Sequence, residues 1–191
     1  MQVAYIIPLD PAVQTFARQL AEEAQREFGA NRALAIEAHI TLKTPFEAVN
    51  VAPFERILDD LALELSPFEL HITGINWFEP DVIFLDVVQD ARLDALRRRL
   101  LAALAELGVQ PDAVEGEGYH FHITVAWGLP PEAIRRLWER WQSMPVTLTT
   151  LVTEIALVAN DGTGWRWARR TTVDGRRWTQ DGGRWTVDGG W

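Results

Sequence analysis

The chain of 191 residues is long enough to bury the core of one sizeable domain without covalent cross-links. It contains no cysteine, which excludes both a disulfide framework and a metal site with thiolate ligands. The 18 basic and 27 acidic side chains give a net charge of −9. This charge argues against binding of long RNA or duplex DNA, because such binding requires lysine and arginine to neutralise many phosphates. No secretory or membrane-spanning segment is predicted, so a cytoplasmic protein is expected.

Hydrophobic periodicity and turn residues predict an alternation of strands and helices. Asp10-Pro11 marks the start of the first helix, and Gly29 and Asn31 end it. Arg97–Arg99 falls mostly outside the apolar stripe of a later helix, so we interpret it as solvated. The order indicates a roughly duplicated α+β arrangement in which two sheets are backed by helices. We predict a strand at 3–8, a helix at 11–28, a strand at 36–43 that ends at Pro45, a helix at 53–65, strands at 68–77 and 82–88, a helix at 90–107, a strand at 121–126, a helix at 130–142 and a strand at 146–159.

Two of the predicted strands carry the same short motif, in which one residue separates a histidine from a threonine. The motifs are His39-Ile40-Thr41 and His122-Ile123-Thr124. Because side chains alternate along a strand, the imidazole and the hydroxyl of each motif share one face, roughly 6.6 Å apart. Two such strands facing each other would surround a tetrahedral anion with two imidazoles and two hydroxyls. That set of groups suits a phosphoester.

The paired motifs resemble those of the two-histidine phosphoesterase superfamily. The stretch from His39 to Phe46 is similar to the form found in its bacterial 2′-5′ RNA ligase-like branch. The resemblance covers roughly residues 1–159. It implies a bilobal, pseudo-symmetric α+β fold in which two antiparallel sheets flank a central cleft and the helices lie outside. It also implies that His39 and His122 lie opposite each other across that cleft.

The resemblance implies acid–base chemistry for the two histidines. One imidazole would activate water and the other would protonate the leaving ribose oxygen, which predicts a bell-shaped pH profile. The sequence leaves open which is the base. Thr41 and Thr124 would donate hydrogen bonds to the non-bridging phosphate oxygens. Lys43 shares the strand face of His39 and Thr41 by alternation, so its ammonium either binds the phosphate or ends the strand in solvent.

Three further residues around the second motif are candidates for the substrate pocket. His120 shares the strand face of His122 and can lie at the pocket edge. Tyr119 and Trp127 fall on the opposite face, where core packing is the default, although a twist or bulge would let either reach a base. No Asp or Cys near His120 completes a ligand set, so we predict neither a metal site nor a cofactor.

A third motif, His71-Ile72-Thr73, lies where the family resemblance places an ordinary strand. Two histidines suffice for the chemistry, and the pairing between the two halves of the chain uses His39 and His122. We therefore interpret His71 as structural.

Residues 161–191 form an extension outside the family resemblance. Five of the nine tryptophans follow Gly164, and three of these five lie in a near-repeat of seven residues at 172–191 that carries an Asp-Gly turn signal in each unit. This pattern is typical of short hairpins. The tryptophans and arginines either form a stacking platform for RNA ends or pack against the domain or a partner chain. We divide the chain into a phosphoesterase-like domain at 1–160 and an extension at 161–191.

The prediction is a metal-independent phosphoesterase that acts on the 2′,3′-cyclic phosphate of a nucleotide or an RNA end. The resemblance also allows 2′-5′ RNA joining, since both reactions use the same phosphorus and the same acid–base pair. A nucleotide-binding module without catalysis is the alternative outside enzymes, and an assembly protein built through the tail is a third. The oligomeric state is left open.

Overall fold

The computed structural model describes residues 1–116, 118–173, 177–181 and 184–188, with the backbone alone for the last two segments. Within these residues, no helix has the length and apolar composition needed to span a membrane. Short 3₁₀ turns at Arg32–Leu34 and Ala113–Glu115 each precede a motif strand. The elements are β1 (Gln2–Pro8), α1 (Pro11–Phe28), β2 (His39–Glu47), α2 (Ala52–Leu63), β3 (Phe68–Phe78), β4 (Val82–Val87), α3 (Ala91–Glu106), β5 (His122–Trp127), α4 (Pro131–Trp141), β6 (Thr147–Val152), β7 (Glu154–Asn160), β8 (Trp165–Thr172), β9 (Arg177–Asp181) and β10 (Arg184–Asp188).

Helix α1 forms where the periodicity predicts it. Pro11 occupies the first helical position, where its missing N–H costs no hydrogen bond. Apolar residues repeat at helical spacing and form one buried stripe, and Gly29 ends the helix with a φ of 94° that a residue with a Cβ rarely adopts. The buried residues of the stripe are Val13, Ala17, Leu20, Ala21 and Ala24.

The described strands form two antiparallel sheets. The first has the order β10-β9-β8-β7-β1-β2, and the second has the order β5-β4-β3-β6. Helices α1 and α4 contact the second sheet, while α2 and α3 contact the first. Each motif strand therefore lies at the edge of its sheet, and β2 and β5 contact each other where the sheets meet. This arrangement confirms the predicted bilobal α+β fold.

The two halves of the chain repeat one order of elements. Each half has a strand, a helix, a 3₁₀ turn, a motif strand, a second helix and a second strand. In each half the motif strand pairs antiparallel with the strand that precedes it, β2 with β1 and β5 with β4. The repeated order positions the two His-x-Thr motifs equivalently on adjacent sheet edges.

Two predicted strand boundaries are wrong. Strand β2 continues through Pro45 to Glu47, because an edge strand has no outer neighbour that needs the missing proline N–H. The single strand predicted at 146–159 is two strands: β6 pairs with β3 in the second sheet, and β7 pairs with β1 in the first. The chain passes between the sheets at Thr153, and no glycine, proline, asparagine or aspartate in the stretch 146–159 marks the change.

The C-terminal strands extend the first sheet. Strand β8 pairs with β7 along its length, β9 meets β8 at Thr171 and Arg177, and β10 pairs antiparallel with β9. The turns predicted around Gly175, Gly182 and Gly189 lie outside the described residues. The division of the chain at residue 160 stays a prediction.

Candidate active site

A β-bulge follows the His-x-Thr motif in both halves. In β2, Thr41 pairs with Ile6, but the next pair is Lys43 with Tyr5, so one residue of β2 has no opposite partner. In β5, Thr124 pairs with Phe84 and the next pair is Ala126 with Ile83. A bulge rotates the strand beyond it. The motif side chains before the bulge keep their common face, while the residue after it turns into the core.

Both imidazoles are held in the same way. The Nδ1 of His39 lies 2.8 Å from the carbonyl oxygen of Glu37, and the Nδ1 of His122 lies 2.7 Å from the carbonyl oxygen of His120. A carbonyl only accepts hydrogen bonds, so Nδ1 must be the donor. In the neutral ring, Nε2 therefore carries the free lone pair. Both rings are fixed in the tautomer that lets Nε2 accept or deliver a proton.

Burial lowers the pKa of both histidines from the ordinary value. For His39, the hydrogen bond to Glu37 opposes the effect of burial only in part. For His122, the hydrogen bond to His120 also acts against burial, but positive charge on His120 and on His39 lowers the pKa further, and Asp86 raises it. The charge on His39 reaches His122 because the two imidazoles belong to one electrostatic site. Both rings are accordingly mainly neutral at pH 7.

Two cavities meet at the motif threonines. His39 lines a cavity of about 190 Å³, and His122 lines a wider one of about 750 Å³. Thr41 and Thr124 line both cavities, together with Pro45 and Trp127. Within the described part of the chain, neither threonine hydroxyl has a hydrogen-bond partner. The structure thus brings the four predicted motif side chains to one continuous space.

Lys43 lies elsewhere. The bulge buries its side chain at 1% exposure, and Nζ lies 2.6 Å from Oε2 of Glu115. Glu115 also accepts hydrogen bonds from the backbone N–H groups of Thr44 and Asp112. Burial raises the pKa of Glu115, but these three donors outweigh burial and leave the pKa below its usual value. The ammonium is committed to this buried ion pair, so we leave Lys43 out of the proposed phosphate site.

Arg32 supplies a cation that sequence reasoning missed. Its guanidinium lies 5.4 Å from the centroid of the Trp127 ring, and its side chain lines the smaller cavity with His39 and both threonines. Among the described residues Arg32 makes no ion pair, so its charge is available to an anion. Gly128 provides the room, since a Cβ there would meet the Arg32 side chain at 2.7 Å.

The amide of Asn31 anchors the turn that carries Arg32. Its Nδ2 donates to the carbonyl oxygens of Ala21 in α1 and Val125 in β5, at 3.0 and 2.9 Å. Its Oδ1 accepts from the N–H groups of Ala33 and Trp127. A buried amide with every hydrogen bond satisfied rigidly ties the helix, the turn and the motif strand together.

The three predicted pocket residues all line the wider cavity. His120 Nε2 lies 2.9 Å from Oδ1 of Asp86, and 42% of the Trp127 surface is exposed. The Tyr119 hydroxyl donates to the carbonyl of Thr41 at 3.3 Å, and burial raises the pKa of Tyr119 to about 12. Strand alternation favours core packing for Tyr119 and Trp127, but in the structure both side chains border the cleft.

One helix arginine was misinterpreted. Arg97 is buried rather than solvated: its guanidinium lies 3.9 Å from the Tyr119 ring centroid and donates to the carbonyl of Glu115. It therefore supports Tyr119 and the turn that carries Glu115 from behind the wider cavity.

His71 is separate from the cleft. Its side chain is 60% exposed on β3, its Nε2 lies 3.8 Å from a carboxylate oxygen of Glu69, and it lines neither cavity. No cluster of three or more His, Asp or Glu side chains suited to a metal ion occurs in the portion of the chain that the structure describes.

Known proteins share this fold. The crystal structure of TT0787 from Thermus thermophilus matches with a TM-score of 0.61 and 18% identity, over 91% of this chain and 98% of that one. Escherichia coli LigT complexed with 3′-AMP matches with a TM-score of 0.56 and 20% identity, over 90% of this chain and 96% of LigT. No curated protein sequence matches the chain.

Structural similarity at such low sequence identity shows the fold alone. The assignment of the chain to a family comes from a family model. The model of the 2′-5′ RNA ligase superfamily matches residues 9–164, which include both His-x-Thr motifs and most of the chain. The chain therefore belongs to the 2′-5′ RNA ligase superfamily.

Proposed function

We propose that the protein is a metal-independent phosphoesterase that hydrolyses the 2′,3′-cyclic phosphate of a nucleotide or an RNA end. One observation carries the proposal. His39 and His122 are each fixed at Nδ1 by a backbone carbonyl, and they border cavities that meet at Thr41 and Thr124. Two imidazoles in one tautomer beside two free hydroxyls suit in-line displacement at phosphorus.

The reaction follows from these groups. A neutral Nε2 takes a proton from water as the water oxygen bonds to phosphorus. The bond from phosphorus to one ribose oxygen breaks, and the protonated Nε2 of the other histidine gives its proton to that oxygen. Thr41 and Thr124 donate hydrogen bonds to the non-bridging oxygens, and Arg32 adds positive charge where negative charge develops. Which histidine is the base is left to the pH profiles of the variants.

Nucleotide ligands of related structures support this substrate class. Escherichia coli LigT has been solved in complex with 3′-AMP and with ATP. The same fold thus admits a nucleotide, and the net charge of −9 favours a small substrate or an RNA end over a long duplex.

The family name favours a second activity, the joining of RNA through a 2′-5′ bond. Attack on the cyclic phosphate by an RNA hydroxyl instead of water would use the same acid–base pair. A module that binds nucleotides without turnover is the remaining alternative.

A substrate panel tests the proposal. Adenosine 2′,3′-cyclic phosphate, an RNA with a 2′,3′-cyclic end and an RNA with one 2′-5′ linkage are incubated with wild type, His39→Ala, His122→Ala and His71→Ala, in the presence of EDTA. We expect hydrolysis by wild type and by His71→Ala but by neither of the other variants. Binding without turnover would select the module, and loss of turnover only in a folded His71→Ala would reject the chosen pair.

A further inference from the structure

The open face of the first sheet forms an apolar floor beside His39. Ala4 and Ile6 of β1 lie next to Ala156 and Val158 of β7, and all four side chains are buried in a small cluster separate from the main core. Alternation places Trp165 and Trp167 of β8 on the same face, since they pair with Asn160 and Val158. The floor therefore runs from β1, the neighbour of the motif strand β2, across β7 to β8.

The two tryptophans differ in what covers them. The guanidinium of Arg170 lies 4.8 Å from the Trp167 ring centroid, and Arg170 pairs with Glu154, so this ring is already stacked. Trp165 lines the smaller cavity, and among the described residues no aromatic ring or guanidinium stacks on it. It lies one position beyond the segment that the family model matches.

The lining of the smaller cavity changes along its length. Ala4, Ile6, Ile36, Val158 and Trp165 pack together as the apolar floor, whereas the charged and hydroxyl-bearing side chains of the lining belong to the two motifs and to the turn before the first motif. Those polar residues are Arg32, His39, Thr41 and Thr124. A ligand that matches this lining has a flat apolar part joined to an anionic group. A nucleobase joined through ribose to phosphate has this composition.

We propose that Trp165 and the apolar floor form the nucleobase subsite of the enzyme, with the base stacked on the Trp165 ring and the phosphate between the motifs. The assignment rests on the proposed function. No amide or hydroxyl side chain reaches the apolar part, so the subsite holds any base by stacking rather than by hydrogen bonds. The wider cavity beside His122 is left for the rest of an RNA chain.

The test compares a substrate that has a base with one that lacks it. Adenosine 2′,3′-cyclic phosphate and glycerol 1,2-cyclic phosphate are assayed with wild type, Trp165→Ala, Trp165→Leu and Trp165→Phe. The matched control is Arg166→Ala, next to Trp165 but exposed on the other strand face and paired with Asp161. We expect Trp165→Ala to raise the KM of the adenosine substrate roughly 5- to 150-fold, the range of base stacking on an aromatic ring.

The variants distinguish stacking from simple packing. Trp165→Phe should retain most of the affinity, and Trp165→Leu should lose it while keeping the fold, as thermal unfolding will show. The KM of the glycerol substrate should not change in any variant, and Arg166→Ala should match wild type for both substrates. Equal effects on the two substrates, or no effect on either, would overturn the subsite.

A direct binding measurement separates this proposal from the proposed function. Calorimetric titration with 3′-AMP and with ribose 3-phosphate needs no turnover. If wild type hydrolyses neither cyclic phosphate but Trp165→Ala still weakens 3′-AMP alone, the catalytic proposal fails and the base subsite stands. If Trp165→Ala binds 3′-AMP as well as wild type does, the subsite is wrong whatever the catalytic result.

Discussion

The two motif strands are alike in backbone and different in surroundings. In both, Nδ1 of the histidine meets the carbonyl two residues earlier, and a bulge follows the threonine. After the bulge one strand buries Lys43 and the other Ala126. The features that both strands share orient the imidazole and the hydroxyl of each motif, whereas the side chain after the bulge only packs in the core.

The surroundings make the two imidazoles inequivalent. His122 packs against the rings of Phe78 and Phe84, with centroids 5.0 and 5.1 Å away, and lies beside the pair of His120 and Asp86. His39 borders the smaller cavity and has no carboxylate partner among the described residues. The two imidazoles are therefore held in the same way but differ in their electrostatic surroundings. Such a difference suits a pair in which one histidine acts as the base and the other as the acid.

The largest expected effect comes from breaking the pair itself. We expect His39→Asn or His122→Asn to lower kcat about 100- to 10,000-fold, because each removes one proton transfer. The double variant should lose little more than the worse single variant, since the two groups act as a unit. Losses that multiply in single-turnover assays would show that the histidines act independently.

The next effect concerns stability, at the position where the two strands differ most. Lys43→Met leaves the buried Glu115 carboxylate without its cation, which should cost about 3–5 kcal/mol of unfolding free energy. Lys43→Met combined with Glu115→Gln should recover much of this loss, because no buried charge remains. Urea unfolding measures both, with Arg18→Met as the control for an exposed pair. A midpoint unchanged by Lys43→Met would refute the role of the ion pair.

A smaller effect is expected from Arg32, the cation that lines the smaller cavity. Arg32→Ala should raise KM about tenfold or more by removing a charged contact to the phosphate, and Arg32→Gln should do nearly the same. Gly128→Ala should also raise KM, because the added Cβ displaces the Arg32 side chain. Initial rates at increasing salt provide the readout, and Arg56→Ala on the outer helix α2 is the control. A wild-type KM in both Arg32 variants would remove Arg32 from the site.

The smallest effect is a shift in pH dependence. Both histidine pKa values are depressed in the free enzyme, so the maximum of kcat/KM should lie on the acid side of pH 7. Activity falls as pH rises through the pKa of the acid, and it falls again as pH drops through the pKa of the base. Bound phosphate raises both values, so kcat should peak at higher pH than kcat/KM.

Asp86 distinguishes the two histidines, because it raises the pKa of His122 and not that of His39. Asp86→Asn should move a single limb toward lower pH. Movement of both limbs together would show that Asp86 acts on the whole site.

Sequence periodicity predicted the structural features that depend only on residues close together in the chain. Helix α1 begins and ends where Pro11 and Gly29 indicate, and the two motifs occupy strands as alternation predicts. Lys43 was misplaced because alternation assumes a regular strand, and only pairing with β1 reveals the bulge. Arg32 and Trp165 gave no local signal. Their place in the site depends on contacts with segments distant in sequence, through Asn31 and through the pairing of β8 with β7.

The passage of the chain from one sheet to the other at Thr153 constrains when the protein can fold during synthesis. Strand β6 completes the second sheet, and β7 then supplies the inner neighbour of β1 in the first. Both interiors therefore stay exposed until β6 and β7 have left the ribosome, so the segment that precedes them cannot fold as a separate unit. A ribosome-bound chain stalled after residue 145 should be readily cut by protease, and one that has exposed residue 173 should resist.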